Sequence, residues 1–376
     1  MGILRTNTVS GIGSDGPIFD GVTKFDTQGY VVPPTGTTDQ RSAGITTAQG
    51  TIRFNTDSQK LEFYAQDQWW EMVIDTPDLG VSSNTGAGAR GVFGGGGTPL
   101  SNNTIDYITI SSTGNAFDFG DLTVARNRLN SACASSTRGI FAGGALPQIN
   151  VIDYITISST GNALDFGDLT TPRDLLGACS SSTRGIFGGG SPRTNTIDYI
   201  TISSTGNAVD FGDLTAARNR LSSCSSSVRG IFVGGQDPFQ ITNIIDYITI
   251  STLGNAFDFG DLTASRGELA SCSSSTRGVF GGGYISPTTR SNTIDFITIA
   301  TIGNATDFGD LTATRLGVTA CSSSTRGVFG GGYDSPTLQN ILDYITIASA
   351  SNATDFGDLT VARSSPAGLS NAHGGL

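Results

Sequence analysis

The tetrapeptide Asp-Phe-Gly-Asp occurs six times, beginning at Asp118, Asp165, Asp210, Asp258, Asp307 and Asp355. Two carboxylates three residues apart suit metal ligation or acid–base work, and Asp-Phe-Gly is also the magnesium-binding tripeptide of protein kinases. The surrounding sequence supports neither chemistry. No glycine-rich nucleotide loop or catalytic-loop signature accompanies the tripeptide, and the longer run of oxygen ligands that a calcium loop needs is missing. Cys133, Cys179, Cys224, Cys272 and Cys321 recur once per copy without a Cys-x-x-Cys pair, and His373 is the one histidine. That pattern offers no zinc spacing, no disulfide framework and too few histidines for a copper oxidase. The acidic residues outside the repeated positions, such as Asp174, Asp237, Glu268 and Asp334, are scattered along the chain. No constellation for nucleophilic or acid–base catalysis emerges. The expectations are no catalytic residue, no metal and no cofactor. The cysteines read as buried core thiols. Asp118 and Asp121 read as partners for backbone donors, or for Arg126 or Arg138 in a ladder of surface pairs.

The elements that carry these residues follow a period. The phenylalanine of each tetrapeptide falls 45 to 49 residues after the last, at Phe119, Phe166, Phe211, Phe259, Phe308 and Phe356. Each copy contains four short strand-like pieces. In one copy these are Leu175 to Ser180, Arg184 to Gly189, Ile197 to Ser203 and Ala208 to Leu214. The third alternates β-branched and polar residues as a sheet requires, and Thr205-Gly206-Asn207 signals a hairpin because Gly and Asn tolerate positive φ. Complete sets of second, third and fourth strands begin at Arg90, Arg138, Arg184, Arg229, Arg277 and Arg326. First-strand candidates number seven: a degenerate one near Leu79–Asn84, five bearing cysteine, and one near Ala367–His373. Six sets need only six first strands, so the C-terminal segment is expected to complete the first set and fasten a ring.

Four strands per repeat suit a propeller blade, with a solenoid as the competing arrangement. The order of features resembles the kelch repeat: Arg, a small-residue strand, an aromatic before Gly-Gly, a Tyr strand, then an aromatic strand leading to the next Arg. Phe166 and Phe211 stand where kelch repeats carry Trp. The resemblance implies an all-β fold: a six-bladed kelch-like β-propeller over residues 79–376, preceded by a small N-terminal β-rich module over residues 1–78.

The N-terminal module does not share the period. It begins as an extended arm and continues with Pro34-Thr35-Gly36-Thr37-Thr38-Asp39-Gln40-Arg41, Gly50-Thr51-Ile52-Arg53-Phe54-Asn55-Thr56-Asp57, Leu61-Glu62-Phe63-Tyr64 and Trp69-Trp70. This series resembles a module of bacteriophage tail fibres and other virion structural proteins. Ile52–Asn55 and Leu61–Tyr64 alternate about a turn, which predicts a two-strand hairpin with one apolar face that is too small to stand alone. Ile52, Phe54, Leu61, Phe63, Trp69 and Trp70 are therefore the expected assembly residues. The resemblance implies a non-enzymatic virion structural protein of the tail or capsid surface, joined through this module to other virion proteins and to sister chains. It would attach to a host surface glycan or protein, or to virion neighbours. The alternatives are a cellular kelch-type adaptor and, less favoured by the acidic pattern, a polysaccharide-acting enzyme.

A net charge of −11 argues against a nucleic-acid surface, and no stretch approaches the eighteen apolar residues of a membrane span. The acidity belongs to the scaffold, because three aspartate columns recur against two arginine columns. In an up-down blade, the Ser-Ser-Thr and Thr-Gly-Asn turns lie on one face and repeat almost unchanged. The opposite face carries six dissimilar loops. These are expected to bring Arg193, Phe239, Tyr284, Arg290 and Tyr333 to the surface as ligand- or partner-binding residues that the fold does not need.

Overall fold

The computed structural model describes residues 33–42, 50–57, 60–65, 68–71, 89–98, 100–145 and 147–376. It is an all-β fold; among the described residues the one helical element is the short 3-10 turn Thr38–Ser42. The chain divides into two compact units, Met1–Thr76 and Pro77–Leu376.

The larger unit is a succession of antiparallel sheets, each with four principal strands. A typical sheet runs Gly177–Ser180, Arg184–Gly188, Thr194–Thr201 and Val209–Arg218, paired in chain order. One sheet departs from that order. Its strands Arg90–Gly94, Leu100–Thr109 and Phe117–Arg126 are completed by Ala367–Ser370, with Ala367 opposite Gly94 and Ser370 opposite Gly91. The other segment expected to serve there, Leu79–Asn84, lies outside the described residues. The first strands touch in the order Ala132–Ala134, Gly177–Ser180, Ser222–Ser225, Ala270–Ser273, Thr319–Ser322 and Ala367–Ser370, and the last touches the first.

The Asp-Phe-Gly-Asp tetrapeptide is a β-bulge. Ile152 faces Gly167 and Asp153 faces Asp165, so Phe166 is the extra residue and turns into the core. Gly167 has φ 146°, and a Cβ there would lie 2.5 Å from the carbonyl oxygen of Gly206, in the turn of the next sheet. The same turn covers the strand edge: the Asp168 N–H donates to Asn207 Oδ1 and the Ala208 N–H to the Asp168 carbonyl. The bulge column repeats these bonds in every sheet, ending with the Asp358 N–H on Asn115 Oδ1.

Sheets meet through glycine. A Cβ on Gly185 would lie 2.8 Å from Cys133 Sγ of the preceding sheet, so the thiol fills the space that the missing side chain leaves. Leu369 does the same over Gly139, where the cysteine series is interrupted. The cysteines are thus buried and unpaired, and burial pushes the Cys224 thiol up to about 12.

The strongest joint is ionic. Arg126, Arg173, Arg218, Arg266, Arg315 and Arg363 each reach into the following sheet and pair with Asp153, Asp198, Asp246, Asp295, Asp343 and Asp106 at 2.5 to 3.0 Å. Both partners are essentially inaccessible to water. The aspartates also accept a hydroxyl hydrogen bond from the threonine of the preceding sheet, as Asp153 does from Thr123 at 2.6 Å. Burial raises the Asp106 carboxyl above its ordinary range against the pull of Arg363, and lowers the arginines. This corrects the expected surface ladder. Asp118 is exposed, Asp121 offers its backbone, and Arg138 lies 4.5 Å over the Tyr154 ring while donating to the Ile202 carbonyl.

The smaller unit contains a four-stranded sheet in place of the expected two-strand hairpin. Ile52–Asn55, Lys60–Ala65 and Gln68–Glu71 are antiparallel, and Thr35–Gly36 adds in parallel to Phe54–Asn55. Its buried face is polar. Glu62 lies at the centre, bonded by Arg41 and by Asn55 at 2.7 Å, with Arg53 at 3.5 Å. These contacts hold the Glu62 carboxyl below its ordinary range despite its burial. Trp69 lies on this side, packed on Tyr64 and under Arg53. Ile52, Phe54, Leu61, Phe63 and Trp70 share the other face in direct register, half-buried or exposed.

Two outcomes follow from these joints. Arg315→Ala leaves the Asp343 carboxylate buried without its partner and is expected to cost about 3–5 kcal/mol in a denaturant melt, whereas Asp118→Asn should change stability by no more than about 0.5 kcal/mol. Removing residues 367–376 uncovers the edge of Arg90–Gly94, and a marked fall in melting temperature or aggregation is expected.

Candidate binding surface

On the variable-loop side, each sheet passes to the next through a residue with positive φ: Arg128, Leu175, Arg220, Glu268, Gly317 and Ser365. Five of the six are not glycine, so local strain is held in place by neighbouring contacts. Those contacts are backbone hydrogen bonds from one connection to the next. Leu175 N–H donates to Arg128 O, Arg220 to Leu175, Glu268 to Arg220, Gly317 to Glu268, Ser365 to Gly317, and Leu129 to Ser365, at 2.7 to 3.2 Å. The side chains of these connections lie at the base of the variable loops.

Charge gathers on part of this circuit. Arg220 pairs with Glu268 at 2.8 Å and donates to the Tyr284 hydroxyl at 3.2 Å. Arg128 stands 3.9 Å from the buried Asp174 carboxylate, whose Oδ1 has no hydrogen-bond partner. Burial raises both the Glu268 and Asp174 carboxyls, opposed chiefly by Arg220 for Glu268 and by Arg128 for Asp174. Arg290 lies over the Tyr333 ring and 4.0 Å from Asp334. Residues far apart in sequence are therefore neighbours here. Asp174 and Glu268, scattered in the sequence, belong to one cluster with Arg128 and Arg220, which the sequence did not single out.

The expected contact residues divide. Arg193 is exposed, and Phe239 is 94 % exposed at a tip held by Asp237 Oδ1, which accepts from the Phe239 and Gln240 N–H groups at 2.7 Å. Tyr333 and Arg290 are half-buried. Tyr284 corrects the expectation: it is only 6 % exposed. Its ring packs on Gly267, where a Cβ would lie 2.9 Å away, and its backbone pairs with the same residue. Gly267 stands where the other copies carry Asn, Asp, Leu or Ser, and that exchange was the signal that Tyr284 folds inward. The opposite side is also less uniform than its turns suggested. Val228, Leu253 and Ile302 are exposed there, in columns that other copies mostly fill with threonine.

Chemically, this surface offers guanidinium donors, an exposed aromatic ring and carboxylates already engaged by arginine, a set suited to binding. No group of three or more His, Cys, Asp and Glu side chains able to hold a metal ion occurs among the described residues. Neither the protein-family models nor the curated proteins compared with this chain give a match.

Phe239→Ala is expected to leave unfolding free energy within about 0.5 kcal/mol of the unmodified protein. Tyr284→Ala, which removes a packed ring and the hydroxyl partner of Arg220, should cost at least about 2 kcal/mol in the same measurement.

Proposed function

We propose that this chain is a non-enzymatic structural component of a virus particle, in which a six-bladed kelch-like propeller is displayed by a small attachment module. The propeller reading is supported by contacts that return to their start. Arg363 pairs with Asp106, Leu129 bonds Ser365, and Ala367–Ser370 joins Arg90–Gly94. The attachment reading rests on the N-terminal sheet. The residues that resemble the phage-fibre series, Arg41, Arg53, Asn55 and Glu62, form its polar network and fix the sheet from one side. Ile52, Phe54, Leu61, Phe63 and Trp70 are left to meet a sister chain or a neighbouring virion protein on the other.

The observation that carries the reading is a division of labour. The repeated Arg–Asp columns are engaged in joining sheet to sheet, while unrepeated charged and aromatic residues gather on the variable-loop face. That face then serves recognition of a host surface glycan or protein, with Phe239 as a flat apolar contact and Arg193 as a hydrogen-bond donor.

Deleting residues 1–76 is the direct test. The remaining unit is expected to be folded and monomeric by light scattering and absent from purified particles. Normal incorporation of the shortened chain would put attachment elsewhere. On complete particles, Phe239→Ala with Arg193→Ala should reduce host-cell binding at least several-fold; unchanged binding would remove this face from recognition.

A further inference from the structure

The first strands end in Ala134, Ser180, Ser225, Ser273, Ser322 and Ser370, around a small cavity of about 50 Å³ lined mainly by alanine, cysteine and serine, with Leu369 and His373. Each serine hydroxyl donates to the carbonyl of its counterpart in the preceding sheet, from Ser180 on Ala134 at 2.8 Å to Ser370 on Ser322 at 2.5 Å. Ala134 has no hydroxyl and interrupts the series. There the chain beyond Ser370 turns back across the cavity. His373 Nε2 sits 2.9 Å from the Ala134 carbonyl oxygen and 3.3 Å from Ser180 Oγ. The Gly374 N–H donates to the Ser273 carbonyl, and Asn371 Oδ1 accepts from the Arg90 N–H. Gly374 and Gly375 are required by fit, since a Cβ on either would collide with the carbonyls of Ser274 and Ser180.

We propose that residues 371–376 are an acid-released plug of this cavity, with His373 as the proton sensor. The hydrogen bonds fix the protonation state. The Ala134 carbonyl only accepts, so Nε2 carries the hydrogen; the Gly375 N–H only donates, at 3.0 Å to Nδ1, so Nδ1 carries none. Protonation would put a hydrogen on Nδ1 against the Gly375 N–H and a charge among alanine, cysteine and serine. Besides His373, the titratable groups that line the cavity among the described residues are the thiols of Cys133, Cys179, Cys224, Cys272 and Cys321, all kept protonated by burial; no carboxylate or guanidinium among the described residues lines it to balance an imidazolium.

Partial burial holds the half-buried docked imidazole below its ordinary value of 6.5, while the Ala134 hydrogen bond partly opposes it. The released ring therefore binds a proton more readily than the docked one. Docking is at full strength above the ordinary value and is lost as pH falls through the docked value, by up to about tenfold per pH unit between the two. Release also frees the end of Ala367–Ser370, the strand that completes the first sheet.

The single histidine of this sequence makes the test direct in the untagged chain. Nuclear magnetic resonance should show the imidazole titrating below 6.5, with the Gly374, Gly375 and Leu376 amides becoming mobile over the same range. His373→Gln keeps a donor for Ala134 and an acceptor for Gly375 but does not titrate. Its melting temperature should match the unmodified protein above pH 7 and exceed it increasingly below pH 6.5. An imidazole that titrates at its ordinary value, or tail amides that stay fixed through the titration, would overturn the proposal. So would melting temperatures of the two proteins that track each other at every pH. If the glutamine variant fails to dock its tail, the titration of the unmodified protein decides alone.

Discussion

The buried arginine–aspartate pair between consecutive sheets is the constraint around which the larger unit is arranged. A guanidinium removed from water needs its carboxylate at a fixed place, and Arg126 finds it on the third strand of the next sheet, at Asp153. The same pair recurs at each junction, so each sheet meets the next through the same fixed contact. Glycine lets the sheets approach closely, cysteine or Leu369 fills the gap, and the bulge turns Phe166 and its counterparts inward. Packing of this kind is unforgiving of shape, but the ion pair is what makes each interface directional.

Much of this was legible from sequence because repetition amplifies weak signals. One Asp-Phe-Gly-Asp says little; six at a steady spacing predict a recurring strand, and the Thr-Gly-Asn turns predict which ends meet. The partners of the aspartates were not legible. Arg126 is close in sequence to Asp118 and Asp121, and nothing in the letters says that the bulge leaves Asp118 exposed, engages Asp121 through its backbone and sends the arginine across to Asp153. Alternation likewise located the faces of the N-terminal hairpin but gave no sign that its polar side is the buried one. A charge network around Glu62 can replace an apolar core only when several donors converge, and convergence is a property of three dimensions.

The candidate surface was half visible. Loop variability pointed to the side of the sheets where the unrepeated charged and aromatic residues gather, and Phe239 is exposed at its loop tip as expected. Tyr284 does not, because the identity of one loop residue depends on Gly267 and Arg220, each in a different copy of the repeat. The charged cluster of Arg128, Asp174, Arg220 and Glu268 was hidden for the same reason. Each member is one odd letter in its own copy, and the cyclic backbone bonds bring them side by side.

The pairing of Ala367–Ser370 with Arg90–Gly94 has a consequence for how the chain is made. The two strands are separated by roughly 270 residues, so at a ribosome rate of about 5–20 residues per second the first waits roughly 15–55 s for its partner. Sheets lying between them obtain all four strands locally and can assemble in order as they emerge. The sheet that awaits this strand keeps an open edge throughout that interval, which makes the newborn chain most vulnerable to chaperone capture or mispairing along Arg90–Gly94.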